Sequence, residues 1–176
     1  ARIVRALVWA GGVVVLTDAY ALYAVTGLAT PTDAGGARVD RLGRLPLARL
    51  PEAMAVLVPE KARRRPRWPE VLVSLPGQAG VLAAEGLENR VEPRVPHWQA
   101  APVVALAAHP LERVVACFCI DGTLSVVKAD FSELLFVVDA VSAGGGGGIA
   151  FPRLMCWCGS AFAVLTCWGP PAAGAM

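Results

Sequence analysis

The sequence predicts an all-β protein: a partial β-propeller of about three to four WD40-like blades of antiparallel strands. Three observations carry that prediction. Apolar runs of about five to eight residues recur along the chain, separated by Gly, Pro and Asp. No convincing amphipathic helix interrupts them; the best candidate, Leu45–Pro59, is broken by Pro46, Pro51 and Pro59. The stretch from Pro102 to about Ala140 holds four strand patterns within the length of one propeller blade.

In order, the first strands are Ile3–Trp9, Val13–Thr17 and Tyr20–Val25, with turns at Gly11-Gly12 and after Asp18. The next are Val71–Leu75, Val81–Ala84 and Val103–Ala107. Then come Val114–Ile120, Thr123–Val127, Leu134–Val138, Leu154–Cys158 and Ala163–Trp168. Asp121-Gly122 is the sharpest turn signal, because a type I′ turn needs positive φ at both central residues. A two-residue loop there would set Ile120 opposite Thr123, Cys119 opposite Leu124, Phe118 opposite Ser125 and Cys117 opposite Val126. One face would carry Cys117, Cys119, Leu124 and Val126. The other would carry Phe118 and Ile120 beside Thr123, Ser125 and Val127. Neither face is polar throughout, so the sheet is expected to be covered on both sides, as in a stack of sheets.

Three units follow from this order: about Arg2 to Pro51, about Glu52 to Ala101, and Pro102 to about Ala140. A fourth begins at Phe151 and holds two strands. The domain expectation is that residues 1–176 are a fragment of a propeller domain, with loop inserts near 61–67 and 142–148. The first residue is Ala1 and the last residues follow a strand pattern, so both ends are expected to be cut. An incomplete ring would expose edge strands and apolar faces, and the chain alone is expected to aggregate or to fold loosely.

Of the 176 residues, 56% are hydrophobic and 17% charged, with a net charge of +2. That balance lacks the basic stripe a nucleic-acid partner requires. Five cysteines, an odd number, argue against a complete disulfide framework and for a reducing compartment. Arg2 and Arg5 ahead of ALVWAGGVVVL and Ala19–Ala21 have the outline of a secretory signal, but β-branched residues dominate the run and favour a hairpin. The corresponding alternative is a small secreted or membrane-anchored β-rich protein. Ile149–Trp168 is long enough to span a bilayer, yet Pro152 and Arg153 interrupt it, as buried strands would allow.

Few features carry chemistry. The run KARRRPR (Lys61–Arg67) places five basic residues in seven, and Arg63, Arg64, Arg65 and Arg67 offer a contact for acidic lipid headgroups or a phosphorylated partner. The plainer reading, which we favour, is a solvated loop whose charges repel. Gly144–Gly148 lacks the Gly-Lys-Ser/Thr of a phosphate loop and reads as a linker. Cys117 with Cys119 and Cys156 with Cys158 offer four thiolates for zinc. Their Cys-x-Cys spacing lies inside strands rather than in a knuckle, which favours buried thiols. His97 and His109 have no nucleophile motif beside them, and His109-Pro110 suits a turn. Asp121, Asp130 and Asp139 recur near strand ends, as turn-forming carboxylates do. Nothing assembles a nucleophile, base and oxyanion hole, so neither an enzyme nor a cofactor is expected.

The third unit resembles the amino-terminal region of the vacuolar protein sorting-associated protein 16 family. Ala116, Phe118, Asp121-Gly122, Leu124, Val126, Asp130-Phe131, Leu134 and Asp139 carry the likeness. It continues through Pro152, Met155, Trp157-Cys158-Gly159, Ala163-Val164-Leu165 and Trp168. The Met-x-Trp-Cys-Gly stretch is the most specific part. The resemblance is strongest over Val103–Trp168 and weaker over Arg2–Glu52. Between Lys61 and Ala101 it is poor, and the basic insert and the linker glycines are departures. It implies an amino-terminal β-propeller followed by a carboxy-terminal α-solenoid. It further implies a non-catalytic scaffold of the endosomal and vacuolar tethering complexes HOPS and CORVET, acting in vesicle fusion and intracellular protein transport. Its partners would be other tethering subunits and, through the solenoid that this sequence lacks, a SNARE-regulating subunit. The implied location is cytoplasmic, peripheral on the late endosome, vacuole or lysosome membrane.

Overall fold

The computed structural model describes residues 1–9, 11–27, 36–57, 68–85, 90–139, 151–158 and 161–167. Among them every regular element is a strand, and all pairing within the sheets is antiparallel. The first sheet is β1 (Ile3–Trp9), β2 (Gly12–Thr17), β3 (Ala21–Thr26) and β4 (Arg38–Arg44). The second is β5 (Met54–Leu57), β6 (Glu70–Ser74), β7 (Val81–Glu85) and β8 (Arg90–Arg94). The third is β9 (Val103–Ala108), β10 (Val114–Cys119), β11 (Thr123–Lys128) and β12 (Leu134–Asp139). The last pair is β13 (Phe151–Cys158) with β14 (Ala161–Cys167). In each of the three four-stranded sheets the strands lie in chain order, so each is a meander. The expected units therefore appear with their expected limits, and the inserts at 61–67 and 142–148 and the strand end at Trp168 lie outside the described residues.

β4, β5 and β8 are not anticipated from the sequence. β4 and β8 alternate charge with small or apolar residues, and β5 is a four-residue strand inside the proline-broken stretch that gave the best helix candidate. Their pairing to β3, β6 and β7 decides their conformation, as tertiary context does wherever local preference is weak.

The sheets stack. In β6, Val71 and Val73 point toward the first sheet while Leu72 points toward the third; β7 divides likewise, Leu82 and Ala84 against Val81 and Ala83. Between sheets one and two lie Val14, Leu16, Leu22, Leu42, Met54 and Trp68 with those residues. Between sheets two and three lie Ala55, Leu57, Leu106, Val115, Cys117 and Val127 with theirs. On the far side of the third sheet, Ala116, Phe118 and Leu124 receive Met155 and Trp157 from β13. Covering both faces is why these strands read as unbroken apolar runs instead of alternating ones. The first strands of neighbouring sheets lie side by side: β1 beside β5, β5 beside β9, and β9 beside β13. Meanders joined along their first strands form a partial propeller-like ring, with β1, β5, β9 and β13 innermost.

One expectation is corrected. The β10–β11 register is Cys117 opposite Ser125 and Phe118 opposite Leu124, one residue away from that of a two-residue loop. The Gly122 N–H donates to Cys119 O (3.0 Å), Gly122 has φ +88°, and the Thr123 N–H donates to Asp121 Oδ1 (3.0 Å). This is a type I turn closed by a left-handed residue, a three-residue loop, and Asp-Gly serves it as well as it serves type I′. A one-residue slip exchanges faces. Cys117 and Cys119 accordingly share their face with Val127, and Phe118 shares its face with Leu124. The same turn recurs with bulky residues in the left-handed position: Tyr20 (φ 59°) donates to Thr17 O and Phe131 (φ 61°) to Lys128 O.

Candidate functional site

The innermost strands frame an open apolar cleft of about 280 Å³. Its wall includes Leu7 from β1, Met54 and Val56 from β5, Ala107 from β9, and Met155 and Trp157 from β13. The lining contains no carboxylate, amine, imidazole or hydroxyl. Such a surface can shelter an apolar side chain, and the Cys156 thiol is the titratable group in its lining.

The seam between sheet three and β13 is fixed at this cleft. Trp157 donates its indole N–H to Ala107 O (2.9 Å), and its ring meets that of His109 edge-on at 4.7 Å. His109 is buried. Its Nδ1 accepts the backbone N–H groups of Leu111 (3.2 Å) and Glu112 (3.0 Å), and the His109 backbone N–H donates to Val114 O (2.8 Å). The imidazole closes the β9–β10 turn, the role its place before Pro110 predicts. His97 lies exposed on the loop after β8.

The seam between sheets two and three carries a polar clamp. Glu70 and Glu85 face each other across β6 and β7, a like-charge pairing that needs compensation. Arg94 reaches Glu70 Oε1 (2.7 Å) and Arg113 reaches Oε2 (2.5 Å), while Arg94 also donates to Ala129 O (2.6 Å) in the third sheet. Sequence reasoning missed this cluster. Its members are separated by up to 43 positions, and no spacing rule joins them.

The thiols are structural. Burial pushes the Cys117 thiol far above its ordinary range, with the neighbouring Cys119 adding to the effect, and burial raises Cys119 as well. Both sit in the core between sheets two and three, whereas β13, which carries Cys156 and Cys158, packs on the opposite face of the third sheet. The third sheet thus stands between the Cys117 and Cys119 thiols and β13. Among the described residues no cluster of His, Cys, Asp or Glu is arranged for a metal ion. Asp121 and Asp130 hold turns: Asp130 Oδ1 accepts the Ser132 hydroxyl (2.7 Å) and N–H (3.0 Å), which hold its carboxyl below its ordinary range. Arg63, Arg64, Arg65 and Arg67 lie outside the described residues. No helix among the described residues is long and apolar enough to cross a membrane.

Fold and surfaces define the class: an all-β, propeller-like module whose described residues present apolar and ion-paired seams. No family model matches the chain. Over 143 residues, 74% of the chain, it is 27% identical to the vacuolar protein sorting-associated protein 16 homolog of Dictyostelium discoideum. The chain spans about 15% of that relative's length.

Proposed function

We propose that the chain is part of the amino-terminal propeller of a vacuolar protein sorting subunit, a non-catalytic scaffold in a membrane-tethering complex of the HOPS and CORVET kind. The observation that carries this reading is the 27% identity along 74% of the chain. The stacked, doubly covered sheets suit it, because such blades leave their loops and rims to partners. In this reading the protein is cytoplasmic and peripheral on the late endosome, vacuole or lysosome membrane. Its partners are the other tethering subunits and a SNARE-regulating subunit docked on a solenoid elsewhere in the protein. Arg63, Arg64, Arg65 and Arg67 would face acidic headgroups or a phosphorylated partner if they do more than solvate their loop.

The test is native purification of the tagged full-length protein from its own cells, followed by mass spectrometry, beside a deletion strain scored for delivery of a vacuolar hydrolase. Co-purification of tethering subunits together with missorting is expected. A protein that purifies without them, and whose loss leaves delivery unchanged, sinks the reading.

A further inference from the structure

We draw no further inference here: the strongest candidate, the face of the first sheet that turns away from the second, where Val13, Val15, Tyr23 and Val25 lie in register with Val39 and Arg41 of β4, carries none, because nothing among the described residues shows what covers it.

Discussion

The seam between sheets one and two and the seam between sheets two and three are built from the same kind of strand but closed differently. The first is almost wholly apolar, with Leu16 and Leu22 against Met54, Val71 and Val73. Its polar contacts are peripheral: the Tyr20 hydroxyl on Ala48 O (3.3 Å), the Arg5 guanidinium on Glu52 O, and Arg38 over Trp68 at 5.7 Å. The second has a comparable apolar core and adds the half-buried carboxylate of Glu70 held by two arginines, one from each sheet. Apolar burial is non-directional, so it favours contact without fixing how far one sheet slides over the next. The clamp is directional, and it ties β6, β8 and the β11–β12 turn to one alignment.

Substitutions in the two cores should have the largest effects, and equal ones. Leu16→Ala and Leu72→Ala each remove a fully buried side chain and should each cost about 2–5 kcal/mol in chemical denaturation. A much smaller loss at Leu16 would mean that the first seam is closed by something other than packing. Glu70→Ala should cost about 3 kcal/mol, because it removes the carboxylate that two partly buried guanidinium groups share. A double-mutant cycle with Arg113→Ala should show strong coupling across the second seam. If the pair proves additive, the two seams do not differ in kind. Ser74→Ala, about 1–3 kcal/mol, removes the hydroxyl that accepts the Ala53 N–H (2.9 Å) in a fully buried position.

A pH effect separates the seams next, since the buried thiols belong to the second alone. The folded state keeps Cys117 protonated. Above about pH 9 the unfolded chain therefore binds fewer protons than the folded one, and stability falls as pH rises, by about 1.4 kcal/mol per pH unit at most for this thiol, with Cys119 adding in the same direction. Urea midpoints measured from pH 8 to 10.5 should decline, and Cys117→Ala should flatten the decline. The smallest effect belongs to the exposed pair Arg38–Asp40 at the rim of the first seam. Asp40→Asn should shift stability by about 0.5 kcal/mol or less, and still less in high salt.

The long apolar strands and the four-unit division were legible because double burial leaves an unbroken apolar run, and β2, β7, β10 and β11 were read on that signal. The outer strands β4 and β8 were not, since a strand supported from one side carries its charges in plain view and looks like a loop. The Asp121-Gly122 turn was placed correctly but its loop length was not, because two turn types share that dipeptide. The Glu70 clamp is a property of which sheets become neighbours. Local sequence has no access to that, and the same holds for the cleft assembled from four separate inner strands.

Fanning the sheets from a common axis also makes the molecule a set of levers. The inner strand β9, which lies beside β5 and β13, carries Ala105, Ala107 and Ala108. A larger residue near the hub would push the neighbouring sheets apart, by an amount that grows with radius. The rim loops, far from the pivot, would then swing widely while each sheet stayed intact. Spacing between outer surfaces would thus respond to substitution of a few small residues at the centre.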